Sequence, residues 1–136
     1  MEATGGCYCG SLRYSVSGAV AVSLQCHCLE CQYITGGNPN VIVILPFGNF
    51  LYTTGSPTTF WRGDFKIPVL RHFCPNCGRA IGSRSPARPN SMIVKVGTFD
   101  DQKFFKPQLA IFTCDKQDYH QIPKNLPADD KTVVKG

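Results

Sequence analysis

No stretch of this 136-residue chain approaches the ~20 consecutive apolar residues that a membrane-crossing helix needs, so no membrane partner is expected. The opening Met1-Glu2-Ala3-Thr4-Gly5-Gly6 has neither a basic nor an apolar region, and no secretory leader is read there. Helical periodicity is equally scarce. No window sustains an i, i+3, i+4, i+7 apolar pattern, and ten prolines and thirteen glycines oppose long helices. Charge is thin, at 17% of residues, with nine acids against fourteen bases. With 43% hydrophobic residues, the composition excludes a disordered chain and fits one globular domain over residues 1–136.

What is present is a series of short apolar segments of period two, bounded by Gly, Pro, Asn or Ser. Ser11–Val16 alternates, and Val41-Ile42-Val43-Ile44-Leu45 is a β-branched run suited to a strand buried on both faces. Further strands are expected at Ala21–Leu24, Phe50–Thr53, Thr59–Arg62, Val69–Phe73, Met92–Val96 and Leu109–Thr113. The one helical candidate is a short turn after Cys28, through Leu29-Glu30-Cys31-Gln32-Tyr33, and the tail from Gln121 reads as extended. The fold class is therefore mainly β, about eight to ten short antiparallel strands.

Seven of the eight cysteines fall in three clusters: Cys7-Tyr8-Cys9, Cys26-His27-Cys28-Leu29-Glu30-Cys31 and Cys74-Pro75-Asn76-Cys77. The protein is read as cytoplasmic, where thiols stay reduced, and these spacings turn paired sulfurs toward one ion; metal ligation is expected, not disulfides. Cys7, Cys9, Cys74 and Cys77 suffice to close a tetrahedral zinc shell, while Cys26, Cys28 and Cys31 hold a zinc with one position open. A zinc ribbon made of Cys28, Cys31, Cys74 and Cys77 is the other pairing the spacing allows. His27, between two ligands of an extended segment, points away from the metal, toward proton transfer or a supporting hydrogen bond; ordinary packing is its bland alternative. Glu30 is a second candidate for the open position or for proton supply. Cys114, in the apolar Ile111-Phe112-Thr113-Cys114, reads as a buried inert thiol.

The formal charge of +5 is concentrated between Trp61 and Phe99, where Arg62, Lys66, Arg71, Arg79, Arg84, Arg88 and Lys95 face the single acid Asp64. Such a segment suits a small anionic substrate or a nucleic acid, or is simply a solvated face. Phe60 and Trp61 beside Arg62 are read first as core aromatics and second as a pocket wall.

Five segments carry a family resemblance: Gly6-Cys7-x-Cys9-Gly10-x-Leu12-Arg13-Tyr14, Cys26-His27-Cys28-x-x-Cys31, Phe73-Cys74-x-x-Cys77-Gly78, Val96-Gly97-Thr98-Phe99-Asp100-Asp101 and Ile122-Pro123-x-x-Leu126-Pro127. In order and spacing, from about Gly5 to Pro127, the chain resembles the glutathione-dependent formaldehyde-activating enzymes, a family that includes the centromere protein V relatives. The resemblance implies a single-domain, Mss4-like β-sandwich or tent with two Zn2+ ions. The structural one is held by Cys7, Cys9, Cys74 and Cys77, the catalytic one by Cys26, Cys28 and Cys31. It implies a carbon–sulfur lyase in reverse, condensing formaldehyde with glutathione to S-hydroxymethylglutathione.

Under that reading the partners are a small anionic thiol such as glutathione and a small aldehyde, with Arg62, Arg71, Arg84 and Arg88 available for the thiol's carboxylates. The alternative is a non-catalytic zinc module contacting nucleic acid or a protein. The chain departs from its relatives at Gln32, where a basic residue is common, and at Ala110–Cys114 and Tyr119-His120, where an aromatic-rich segment with His and Trp is common.

Overall fold

The computed structural model describes residues 1–20 and 22–132. Ala21, which opens the expected strand Ala21–Leu24, and the end of the expected domain, 133–136, lie outside the described residues. Ten strands, one short helix and three single 3-10 turns make up the described secondary structure. The strands are β1 (Glu2–Gly6), β2 (Arg13–Ser17), β3 (Val22–Cys26), β4 (Asn40–Pro46), β5 (Phe50–Thr54), β6 (Thr58–Phe60), β7 (Leu70–Phe73), β8 (Ala80–Ser85), β9 (Arg88–Lys95) and β10 (Leu109–Ile111); α1 is Leu29–Thr35. The fold is mainly β, as expected.

The strands form a three-stranded sheet, β1-β2-β5, and a seven-stranded sheet, β10-β3-β4-β9-β8-β7-β6. Neither sheet is closed. Tyr14 and Val16 of β2 and Phe50 of β5 pack onto Val43, Leu45, Ile81, Met92 and Val94 of the large sheet. Its opposite face gathers Leu24, Cys26, Ile42, Ile44 and Ile111 with Cys31 of α1. The β4 run is thus buried on both sides, as its unbroken β-branched sequence requires. Each large apolar side chain buried this way contributes about 1.5–3 kcal/mol. Tyr14 also needs a partner for its hydroxyl: it donates to Thr98 Oγ1 at 2.7 Å, which donates onward to the Lys95 carbonyl at 2.7 Å.

Pairing is antiparallel throughout except at β10, which runs parallel to β3. That parallel edge is a departure from the expected all-antiparallel set. Its order follows from the C-terminal tail, which continues the edge through Ala110 N–H to Pro127 O at 2.9 Å and Asp129 N–H to Ala110 O at 2.9 Å. Phe112, in the left-handed region at φ 54°, ends β10 and throws Thr113–Asp115 into a 3-10 turn. Cys114 therefore faces solvent, which corrects the expectation of a buried thiol.

The two halves of the sequence are also joined across the surface. Arg13 forms a bidentate pair with Asp100, which accepts in addition from Thr4 Oγ1 at 2.6 Å. The Arg13 guanidinium and then the Thr4 hydroxyl hold the Asp100 carboxyl below the ordinary carboxylate range. Depressed in the folded state, this group stabilises fully above the unfolded Asp pKa of about 3.9, and the contribution disappears as pH falls through the lower folded value. Asp100→Asn is expected to lower stability at neutral pH by about 0.2–1 kcal/mol, as for other exposed pairs. Urea titrations of both proteins should show the difference closing in strong acid, and an unchanged gap there would contradict this origin.

Candidate functional site

The cysteines gather into two groups, Cys7, Cys9, Cys74 and Cys77 in one and Cys26, Cys28 and Cys31 in the other, with all ligand sulfurs of a group within 4.8 Å of one another. This disposes of the ribbon alternative, because Cys74 and Cys77 lie with the N-terminal pair.

The four-sulfur centre is assembled from two tight turns. In the second, Cys74 N–H donates to Arg79 O and Gly78 N–H to Cys74 O, each at 2.9 Å, and Gly78 takes φ 77°, a conformation that favours glycine. The turn leaves donors aimed at sulfur: Leu12 N–H to Cys7 at 3.3 Å, and Asn76 and Cys77 N–H to Cys74 at 3.4 Å. Cys9, the most exposed of the four, is drawn down to about 5 by the Ser11 hydroxyl and then the Asn76 amide. Zinc–sulfur bonds of about 2.3 Å give a tetrahedron with edges of about 3.8 Å. The Cys7–Cys9 and Cys9–Cys74 sulfur separations are 3.6 and 3.8 Å. The donor set and its spacing fit zinc, and Cys7 and Cys74 belong to the inter-sheet core.

The three-sulfur centre sits where β3 ends and α1 begins. Cys28 is the helix N-cap, its sulfur accepting from Cys31 N–H at 3.2 Å. Asn40 Nδ2 donates to the Cys31 sulfur at 3.6 Å, and Asn40 Oδ1 accepts from Lys95 Nζ at 2.7 Å. The sulfurs are not equivalent: Cys31 is drawn down to about 3 by its thiol neighbours Cys26 and Cys28, whereas Cys26 is pushed up by the same pairing and by burial. Three soft donors around one point, one already favoured as a thiolate, fit a zinc ion with a further position to fill.

His27 stands between two of these ligands and is fully buried. Gln25 Nε2, an amide donor that also reaches Gln121 O at 3.1 Å, faces His27 Nε2 at 2.9 Å, so that ring nitrogen accepts. The other, Nδ1, then donates to His120 Nδ1 at 2.9 Å, and His120 Nε2 donates to Gly37 O at 2.7 Å. Both His27 nitrogens are thereby engaged, and burial, with His120 beside it, pushes the ring below the ordinary histidine range. Gln32 takes part in the same scaffold, donating to the carbonyls of His27 at 2.9 Å and Asp115 at 3.0 Å.

Beside the three-sulfur centre, on the same face of the large sheet, lies a cavity of about 680 Å³. One wall is α1, with Glu30, Tyr33 and Ile34; the floor includes Ile42, Gly82 and Ile93; the far wall carries Phe60, Arg62 and Phe65. Asn40 and Lys95 line the end next to Cys31. Phe60 and Trp61 are 58% and 54% exposed, so core packing is corrected for both, and Phe60 is the one that walls the cavity. Phe60 ends β6, the edge strand of the large sheet, and Trp61 follows it outside the strand.

Of the four arginines proposed for carboxylates, Arg62 and Arg71 line the cavity. Arg84 instead lies over the Phe47 ring at 3.6 Å and donates to Pro89 O at 2.8 Å. Glu30 also lines the cavity but is engaged by Arg71 at 2.7 Å. Asn40 was missed from the sequence, and Lys95 was noted only as part of the basic run. The available signal was a lone lysine inside the apolar Met92-Ile93-Val94-Lys95-Val96 and an asparagine at the head of a buried run.

An open two-sheet β fold bearing one group of four cysteines and one of three, each able to hold a metal ion, defines a class of cysteine-rich β proteins. Within it, the chain belongs to the glutathione-dependent formaldehyde-activating enzyme family, whose family model matches residues 2–115. Among solved structures it is similar to the crystal structure of a Rhodobacter sphaeroides protein, with 17% identity, a TM-score of 0.59, and coverage of 76% of this chain and 96% of that one. At that identity the likeness is one of fold. No curated protein matches the chain. No helix among the described residues is long and apolar enough to cross a membrane.

Proposed function

We propose that the protein joins a small thiol, glutathione or a relative, to a small aldehyde at the three-cysteine centre, as a carbon–sulfur lyase working in the adduct-forming direction. A zinc ion held by Cys26, Cys28 and Cys31 would supply a coordination position at which an incoming thiol ionises at neutral pH. In the net reaction a sulfur–carbon bond forms, the carbonyl π bond breaks, and the thiol's proton ends on the new hydroxyl. The single observation that carries this reading is the incomplete thiolate set beside a cavity with cationic side chains.

The residues divide the work. Cys7, Cys9, Cys74 and Cys77 hold the fold. Arg71 and Arg62 present guanidinium groups to the thiol's carboxylates, although both already hold an acid, Glu30 and Asp64. Lys95 presents an ammonium to the oxygen on which negative charge develops. His27 is a positioning residue, since its nitrogens fix the cysteine loop against Gln25 and His120. Contact with nucleic acid finds no support in the basic segment, where Arg62, Arg71, Arg79, Arg84 and Lys95 are all engaged within the fold.

Cobalt substitution tests the assignment. A protein carrying two cobalt ions is expected to change its thiolate-to-metal absorption on adding glutathione, and to accelerate adduct formation with labelled formaldehyde followed by NMR. If two ions are held and neither glutathione nor mercaptoethanol alters the spectrum, the assignment fails.

A further inference from the structure

The cavity is far larger than a one-carbon aldehyde needs, and its chemistry is uneven along its length. At about 680 Å³ it falls within the range for sites that enclose a whole organic molecule. Its body is apolar: Ile34, Ile42, Val69, Ile93, Phe60 and Phe65. Tyr33, 89% exposed, stands at its margin on α1. Arg62 lies over the Phe65 ring at 4.3 Å, while Phe60 and Tyr33 are largely exposed; an aromatic edge around a concave apolar floor is the form a site takes for a flat or branched carbon skeleton.

Its cations differ in what they are free to do. Arg62 is paired with Asp64 and Arg71 with Glu30. Lys95 is only 7% exposed and has the neutral Asn40 amide at 2.7 Å as its hydrogen-bond acceptor. An ammonium has three donors, so two remain after Asn40 is served. Burying a cation with no carboxylate against it is costly. The cysteine sulfurs offset that cost from behind Asn40, whose amide reaches Cys31. Among the described residues, Glu30, which Arg71 holds, is the one acid that lines the cavity with Lys95. An anion entering the cavity would therefore meet one desolvated positive point without a carboxylate partner at the Cys31 end, two guanidinium groups already held by acids, and an otherwise largely apolar lining.

We infer that the cavity binds a compact organic monoanion with an aromatic or branched apolar body, its acid group on Lys95 and its body running toward Phe60 and Phe65. Glutathione, polar along its whole length, matches that lining poorly. If the thiol chemistry proposed above operates, this occupant is the carbonyl partner or its adduct. The binding claim itself does not depend on that chemistry.

Phenylacetate and its neutral isostere phenylacetamide, titrated into the zinc-loaded protein by calorimetry, decide the matter. Phenylacetate is expected to bind at least tenfold more tightly than the amide, as a charge-assisted hydrogen bond worth about 1.5–3 kcal/mol requires. Lys95→Met should abolish that preference while leaving amide binding within about twofold, and Phe60→Ala, on an exposed edge strand, should weaken both ligands severalfold. No phenylacetate binding at about 10 mM, or equal binding of acid and amide to the wild-type protein, would overturn the inference whether or not Lys95→Met folds. Glutathione acting on the cobalt spectrum without phenylacetate binding leaves the thiol assignment standing and removes this one. Phenylacetate binding without a glutathione response does the reverse.

Discussion

Cys74→Ser is expected to abolish the cooperative fold. Cys74 is fully buried within the inter-sheet core and joins residues from opposite ends of the first eighty. A structural zinc contributes about 10–16 kcal/mol in small zinc peptides, as much as the whole net stability of an ordinary domain, about 5–15 kcal/mol. Serine offers a poorer ligand and leaves a polar hydroxyl among apolar neighbours where a metal would neutralise a thiolate. The expected readings are the loss of the sigmoidal thermal transition and of near-UV circular dichroism, together with a fall in zinc content. A Cys74→Ser protein that retains two metals and melts near the wild-type temperature would show that the shell does not hold the fold.

Cys28→Ser should behave in the opposite way, and the reason lies in its position at a helix terminus. The Cys28 sulfur caps α1 by accepting from Cys31 N–H at 3.2 Å, and a serine oxygen is among the best N-caps. The helix therefore keeps its cap while the centre loses one of three thiolates. Metal content is expected to fall from two ions to one, with the thermal midpoint moved by only a few degrees. Any spectral response to thiols and any adduct formation should be lost by orders of magnitude. Loss of both ions or an unfolded product would mean that the two centres are not separable. The pair of variants divides the seven cysteines by role, which neither does alone.

The grouping of the cysteines was readable because their spacing is local. Cys-x-Cys and Cys-x-x-Cys announce themselves within a few residues, as does the double-faced strand Val41–Leu45. The strands β1 and β8 were not among the expected ones because Glu2–Gly6 ends in two glycines and Ala80–Ser85 contains Gly82 and Arg84, which blurs the alternation. The expected strand Thr59–Arg62 overlaps β6 at Thr59 and Phe60, but its exposure was not legible, since a sequence does not say which strand becomes an edge. Lys95 and Asn40 are 55 residues apart and His27 and His120 are 93 apart, so these contacts exist only once the sheet is assembled. The cysteine groups were thus legible and their surroundings were not.

The three-sulfur group is supported by residues that lie far along the chain, at His120 and in the segment that pairs with β10. The four-sulfur centre has all its ligands once Cys77 has emerged, whereas the three-sulfur loop receives His120 and the tail that stitches β10 only 43 residues later (120 minus 77). At 5–20 residues per second that interval is about 2–9 s. For those seconds a nascent chain holds every cysteine of the four-sulfur group, while His27 still lacks His120 and β10 still lacks its tail. The segment from His120 to Asp129 ends that interval.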